Sequence, residues 1–274
     1  MGAGASTAKH PFPDEAAALA AGKTQEEIDS YKASIKARFI YLPVVGRGEQ
    51  IHLLAAEHGL EYETVLPKGF GGEYVWSESA PHGTLPVWET TEADGLTLSD
   101  SAAIIDYILE KTPDGPLAPK DMRSRVLARD TWMFCQDYYN HFLSPMHDTI
   151  MNHAEPHWRQ GRNTDPRASP EHEKNADYLS ELAAYHTQRM GRLEKKLAAA
   201  GTAYAAGADI TYADLFVYTC VTTVLKCKGF TAFREGCGEA GPFAGCPTVL
   251  ALAAKVGERP KIAEKAGKFD QAPV

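Results

Sequence analysis

The apolar residues of this chain follow two periods, one typical of strands and one typical of helices. Short apolar runs lie at Phe39 to Leu42 and at Tyr62 to Leu66, and the segment between them, Gly46 to His58, carries apolar residues at helical spacing. Runs rich in aromatic and β-branched residues indicate strands, whereas apolar residues three or four apart indicate one face of a helix. The pattern therefore predicts strand, helix and parallel strand, the order of a β-α-β unit.

The next segment predicts an antiparallel pair of strands. Leu85 to Glu89 and Leu96 to Ser99 are short alternating runs, and the Asp94-Gly95 dipeptide between them is a strong hairpin signal. Helical spacing returns over Ser101 to Glu110. A β-α-β order followed by β-β-α predicts an α/β thioredoxin-like N-terminal domain over residues 38–112.

After residue 112 every strongly periodic segment is helical. Prolines and glycine in 113–121 cannot continue a helix, so this stretch predicts a linker, followed by an all-α C-terminal helix bundle over 122–274. The polar stretch 152–173 contains three prolines and is longer than a simple turn, which leaves open a lid or a surface insertion. The predicted helices are Met122 to Phe142, Ala176 to Ala200, Ala213 to Cys227 and Thr248 to Val256.

Residues 1–37 are predicted to be an extension, with a mobile tip followed by short helices. Thr24 and Glu27 have the spacing of a capping box, which predicts a helix beginning there. The first residues fit the pattern for N-myristoylation at Gly2, and the unmodified alternative stays open. A single acyl chain binds membranes weakly, so we expect at most transient membrane contact.

Composition excludes several classes of function. The 274 residues carry a formal net charge of -8, so a broad basic face for nucleic acid is not expected. No apolar stretch reaches the roughly twenty residues of a membrane span. The five cysteines lack metal-binding spacing, which predicts buried thiols and no metal site. Their odd number, together with no evident signal peptide, predicts a cytoplasmic location.

Four motifs resemble, in order, those of the glutathione transferase family. In the first, Tyr41 ends an apolar run and is followed by Gly46-Arg47-Gly48-Glu49. The match is nearest to the sigma class, which includes the haematopoietic prostaglandin D synthase. The resemblance implies that Tyr41 is catalytic and that Arg47 assists it, because a hydroxyl and a positive charge both favour the thiolate of glutathione.

The second and third motifs imply the glutathione site. Residues 83–89 resemble a turn in which Pro86 is cis and the Leu85 backbone pairs with the cysteinyl part of glutathione. Asp100-Ser101 matches a strand-to-helix junction that holds the γ-glutamyl carboxylate, although helix capping is an open alternative. The implied glutathione-binding residues are Trp76, Thr84, Leu85, Pro86, Asp100 and Ser101, together with Asp137 from the partner subunit of a homodimer.

The fourth motif indicates the fold of the helical domain and has no catalytic role. Thr211 and Asp214 form a predicted capping box, with Ile210 and Leu215 as a hydrophobic staple. The resemblance also implies an apolar second-substrate pocket, with core packing of the aromatic rings as the alternative. The residues that would border this pocket are Leu42, Val45, Tyr138, Tyr139 and Phe142.

The resemblance implies an enzyme that uses the glutathione thiolate as co-substrate. The expected reactions are conjugation to small hydrophobic electrophiles, or their isomerisation or reduction. A non-catalytic adaptor or assembly subunit with the same fold is the alternative. A serine- or cysteine-based member would need such a residue near the first helix, and 42–46 contain none.

Overall fold

The computed structural model describes residues 19–25, 27, 37–43, 45–90, 95–146, 173–227 and 230–265. These form two compact units. The first takes in the described residues up to Leu42 and Glu61–Ile104, and the second takes in Pro43–Leu60 and the described residues from Ile105 onward. The predicted mobile tip, most of the helix predicted to begin near Thr24 and most of the 152–173 insertion lie outside the described residues.

The predicted succession of strands and then helices is confirmed, with small shifts at the element ends. A short helix at Trp76, a helix at Thr231, a final helix at Pro260 and a π-helical turn were not predicted. The elements in chain order are β1 (Ala37–Ile40), α1 (Arg47–Glu57), β2 (Tyr62–Val65), α2 (Trp76–Ser79), β3 (Val87–Glu89), β4 (Thr97–Ser99), α3 (Ser101–Lys111), α4 (Met122–Tyr138), the π turn (Tyr139–Leu143), α5 (Asn175–Ala200), α6 (Tyr212–Lys226), α7 (Thr231–Gly236), α8 (Pro247–Gly257) and α9 (Pro260–Lys265).

The first unit is built on a four-stranded sheet with the order β2-β1-β3-β4. β1 pairs parallel with β2 and antiparallel with β3, and β3 pairs antiparallel with β4. Phe39 and Trp88 are almost completely buried, and both rings contact the ring of Tyr62, with centroids 5.8 and 5.3 Å away. The predicted parallel return and the predicted hairpin are therefore both present.

The second unit is helical, and its core forms where α6 packs against α1, α4 and α8. α6 is buried on nearly every side, since twelve of its fifteen residues lie in the interior. The predicted capping box at its start is confirmed, because the Thr211 N–H donates to Asp214 Oδ2 at 2.7 Å and both side chains are buried. The predicted capping box of Thr24 and Glu27 is present as well.

A buried polar chain crosses the core of the helical unit. The Tyr138 hydroxyl lies 2.7 Å from His186 Nδ1, and His186 Nε2 lies 2.5 Å from the Pro242 carbonyl oxygen. Because a carbonyl can only accept, Nε2 carries the proton and the neutral ring accepts from the Tyr138 hydroxyl through Nδ1. Burial lowers the pKa of His186 and raises that of Tyr138.

Candidate functional site

Three sequence-distant motifs of the first unit meet at one end of its sheet. Ile40 pairs with Val87, and Val87 pairs with Ser99. Because both pairings are antiparallel, the residues after β1, before β3 and after β4 lie at the same end of the sheet. Those positions hold Tyr41, the Leu85-Pro86 peptide and Asp100-Ser101 respectively. The topology therefore brings together residues that were predicted separately from local motifs.

The turn before β3 presents its backbone at this end. The Leu85-Pro86 peptide is cis, as the motif implied, and Pro86 is buried while Thr84 is exposed. The Leu85 N–H and C=O make no backbone hydrogen bond with any other described residue. The turn is tied to β4, because the His82 N–H donates to the buried Ser99 Oγ at 3.2 Å. The turn thus offers one donor and one acceptor to an extended ligand.

The junction between β4 and α3 has an unusual backbone. Asp100 has φ of 90°, in the left-handed region that residues other than glycine rarely adopt. Its carboxylate accepts from the Ala102 N–H at 2.9 Å, so the capping alternative for Asp100 is observed. Ser101 is buried, and no described residue forms a hydrogen bond to its hydroxyl. The junction combines a capped helix start with an available hydroxyl donor.

Tyr41 follows β1 directly. Its N–H donates to the Val65 carbonyl at 3.3 Å, which extends the pairing with β2 by one residue. Its ring stacks on Phe39 with centroids 6.0 Å apart, and the residue is 5% exposed. The buried ring and its stacking on Phe39 thus place the phenol at the end of the strand.

Trp76 begins α2 and lies in a small apolar cluster of the first unit. This cluster is centred on Ile40 and Val87, the residues that precede the site on β1 and begin β3, and Leu85 packs against it as well. Trp76 is half-buried in this position. Its packing role is established, and a contact with glutathione stays a prediction.

Arg47 begins α1, in the helical unit. Its guanidinium pairs with Asn140 Oδ1 and lies over the Tyr139 ring, with Cζ 5.0 Å from the centroid. Both partners belong to the π turn. The sequence did not indicate either contact, because each partner lies more than ninety positions from Arg47 and no motif or periodicity links them to it.

Asp137, predicted to serve the partner subunit, has partners in its own chain. Its carboxylate pairs with Arg189 Nη2 at 2.7 Å and with His141 Nδ1 at 3.1 Å, while its side chain stays 46% exposed. The Tyr185 hydroxyl donates to it at 3.4 Å. The role toward the partner subunit stays a prediction.

Two residues of the predicted second-substrate pocket lie in the core of the helical unit, and their pocket role stays a prediction. Tyr138 and Phe142 are both 0% exposed and stack on each other and on His186. Aromatic residues at helical spacing here fill the interior, which was the open alternative, because their rings close the space between α4, α5 and the following turns. Leu42 is buried, whereas Val45 and Tyr139 are half-buried.

Other predicted features can be placed on the described residues. Four of the five free cysteines are buried, as predicted, and Cys237 is half-buried. Within the described ranges, no group of three His, Cys, Asp or Glu side chains is arranged to hold a metal ion. No helix in that same part of the chain has the length and apolarity needed to cross a membrane.

Comparison with known families matches both parts of the chain. The model described as "Glutathione S-transferase, N-terminal domain" matches residues 48–111, and the one described as "Glutathione S-transferase, C-terminal domain" matches 165–264. Together these ranges span more than half of the chain. The chain belongs to the glutathione S-transferase family. Its thioredoxin-like and helical parts are those of that family's fold.

Curated relatives of this glutathione S-transferase family member are plant proteins. Glutathione S-transferase 1 of Dianthus caryophyllus is 27% identical over 58% of this chain and 64% of its own length. Glutathione S-transferase Z2 of Arabidopsis thaliana is 28% identical over 58% of this chain and 63% of its own length. The chain thus matches slightly less than two thirds of these relatives.

Solved structures share the fold at low identity. A glutathione S-transferase from Ascaris lumbricoides has a TM-score of 0.60 at 22% identity, covering 88% of this chain and 98% of that one. A glutathione S-transferase from Methylobacterium radiotolerans, in complex with glutathione sulfonate, has a TM-score of 0.59 at 19% identity, over 84% and 94%. Rat hPGDS complexed with a quinoline has a TM-score of 0.58 at 21% identity, over 84% and 95%.

Proposed function

We propose that this chain binds glutathione at the end of its sheet and activates the thiol as a thiolate for reaction with small hydrophobic electrophiles. The observation that carries the proposal is the meeting of Tyr41, the Leu85 backbone and the Asp100-Ser101 junction at that end. Each group suits a different part of an extended tripeptide. Conjugation, isomerisation and reduction all begin from the same thiolate, so the proposal covers the three reactions.

The backbone of Leu85 is proposed to hold the cysteinyl residue of glutathione. Its N–H and C=O can pair with an extended peptide in the manner of an added strand. The γ-glutamyl carboxylate is assigned to the start of α3, where free amides and the Ser101 hydroxyl donate. Asp100 supports this assignment, since a left-handed non-glycine residue costs about 1–3 kcal/mol and such strain concentrates at ligand sites.

Tyr41 is proposed to act on the sulfur. A free thiol has a pKa of about 8.5, so most of it is protonated at neutral pH. A phenol that donates to the sulfur favours the thiolate, and the packing of Tyr41 keeps the phenol in one orientation. Residues 42–46 contain no serine or cysteine to replace it, which supports a tyrosine-based member over a serine- or cysteine-based one. The assisting role of Arg47 toward the thiolate is proposed from the motif, in which Arg47 lies six residues after Tyr41.

The Tyr41→Phe variant tests the assignment. We expect glutathione affinity, measured by calorimetry, to stay near the wild-type value, because the backbone and Ser101 hold the peptide. Turnover against a panel of electrophiles should fall about a hundredfold, the scale for loss of one preorganised donor. Tyr204→Phe, in the helical unit, is the matched control. Full conjugating activity in Tyr41→Phe would refute the role of Tyr41.

The Ser101→Ala variant tests the binding site separately. Loss of one hydrogen bond to a carboxylate should weaken glutathione binding about tenfold. Thr64→Ala, which removes an exposed hydroxyl from β2, is the matched control. A wild-type protein that binds glutathione but turns over no electrophile would favour the non-catalytic alternative, whereas absence of binding would refute the proposal.

A homodimer is proposed as well. Met122, Val126 and Met133 project from one face of α4 with 77%, 60% and 51% exposure. Large apolar side chains repeated along one helix face are typical of an interface. We expect a dimer by light scattering at micromolar concentration and a monomer for Val126→Glu, with Thr187→Glu on α5 as control. A monomeric wild type would remove Asp137 of the partner subunit from the site.

A further inference from the structure

We infer that Asn140 and Tyr139 are positioning residues that orient the Arg47 guanidinium while leaving its charge unneutralised. The inference rests on the proposed function in one respect, the role of Arg47 toward the thiolate. Its structural basis lies entirely within the helical unit. There the guanidinium pairs with Asn140 Oδ1 and covers the Tyr139 ring at 5.0 Å.

Arg47 occupies a position that disfavours a cation. It is the first residue of α1, where the aligned peptide dipoles place partial positive charge. No side chain caps this end of α1. A positive residue there therefore needs other groups to hold it, and an arginine side chain left alone samples many rotamers.

The two groups that hold Arg47 are neutral. An amide oxygen and the face of a phenol ring both attract a guanidinium, but neither cancels its charge. Within the described part of the chain, no carboxylate forms an ion pair with Arg47. By contrast, Arg38, Arg129, Arg189 and Arg259 each pair with an Asp or Glu. Among the described residues, Arg47 is thus held like a paired arginine but has no carboxylate partner.

The π turn brings the two partners together. The Ser144 N–H donates to the Tyr139 carbonyl, which is the i to i+5 bond of a π-helix. Such single turns interrupt α-helices mostly where a functional side chain must be placed. Here the turn continues α4 after Tyr138 and offers two consecutive side chains to one guanidinium. Phe142 and Leu143 of the same turn are buried in the core, whereas Tyr139 and Asn140 contact Arg47.

The decisive variant is Asn140→Asp. A carboxylate keeps the acceptor and strengthens the pairing, so a purely structural contact would be unharmed or improved. If the role is to leave the charge free, neutralisation raises the pKa of the bound thiol. We expect the acid limb of the pH profile of kcat/KM to move to higher pH and kcat/KM at neutral pH to fall about tenfold. Urea resistance should be equal to or above that of the wild type.

Further variants separate orientation from charge. Asn140→Ala should shift the same limb in the same direction, because the guanidinium is no longer fixed. Tyr139→Leu removes the ring face that covers the guanidinium and should resemble Asn140→Ala. Gln188→Ala removes an exposed amide from α5 and serves as control. An unchanged pH profile in both Asn140 variants would overturn the inference.

A double-mutant cycle keeps the test independent of glutathione chemistry. Arg47→Ala and Asn140→Ala are combined, and unfolding by urea is measured without ligand. Coupling between the two changes supports the orienting contact, and strict additivity overturns it. If the wild type fails to bind glutathione, the proposed function fails, and the cycle still decides whether Asn140 holds Arg47.

Discussion

Loss of the Asp214 carboxylate should destabilise the helical unit by a predictable amount. Asp214 is 0% exposed and accepts three hydrogen bonds. The donors are the Ala205 N–H at 2.8 Å, the Thr211 N–H at 2.7 Å and the Thr211 hydroxyl at 3.0 Å. Thr211 and Ala205 are themselves buried, so their N–H groups have little direct access to bulk water.

The magnitude follows from the donors left unpaired. A buried polar group without its partner costs about 1–3 kcal/mol, so Asp214→Ala, which leaves two backbone N–H groups unpaired, should cost about 2–6 kcal/mol. Asp214→Asn keeps one carbonyl oxygen and turns an N–H₂ group toward the other donor. It should therefore cost about 1–3 kcal/mol. These values are a large part of the stability of an ordinary domain.

Urea unfolding followed by circular dichroism measures the change in the global free energy of unfolding. Hydrogen exchange measures the change in local opening at individual amides. The amides of Ala205 and Thr211 should lose protection in Asp214→Ala before the rest of α6 does. Asp209→Ala removes an exposed carboxylate five residues earlier and should stay within about 0.5 kcal/mol of the wild type. Equal urea midpoints for Asp214→Ala and Asp209→Ala would refute the reasoning.

Three further predictions concern the helical unit. Because burial lowers the pKa of His186, the unfolded chain binds the proton more readily, so stability should fall as pH drops through about 6.5. His186→Gln should flatten that urea-midpoint profile between pH 7.5 and 5.5, and an unchanged slope would contradict it. Gly115→Ala places a Cβ against the His58 ring and should cost about 1–3 kcal/mol, part of which His58→Ala should recover. Full additivity of the two changes would count against the clash. Arg259→Gln leaves the carboxylate of Glu57, which is 6% exposed, without its ion pair. The free energy of unfolding measured in urea should fall by about 3–5 kcal/mol. A decrease under about 1 kcal/mol would argue that Glu57 is solvated.

Local chemistry explains why so much of the fold was predictable from sequence. The helix α1, the hairpin strands and the capping box at Thr211 all depend on residues a few positions apart. Their hydrogen bonds and apolar periods are therefore visible in the chain itself. The cis Leu85-Pro86 peptide was implied by the resemblance and not by periodicity. The short helices α2, α7 and α9 were missed because each has only four to six residues, too few for a period to emerge.

Tertiary structure decided which residues are buried together and which contact one another. Tyr138, Tyr139 and Phe142 looked alike in sequence, yet two became core residues and the third covers Arg47. Glu194 caps the start of α8 by accepting from the Val249 N–H at 2.9 Å, although 55 positions separate them. Such contacts form only when distant helices pack, so no local spacing encodes them.

The sequence by itself determined the family, the order of elements and the residues that carry the candidate chemistry. Those properties depend on residue type and near-neighbour spacing. Only the tertiary structure decided that Tyr41, Leu85 and Ser101 meet at one end of a sheet, because strand pairing joins Ile40 to Val87 and Val87 to Ser99. It also decided that Arg47 is held by neutral groups of a π turn, since that turn arises from the packing of α4.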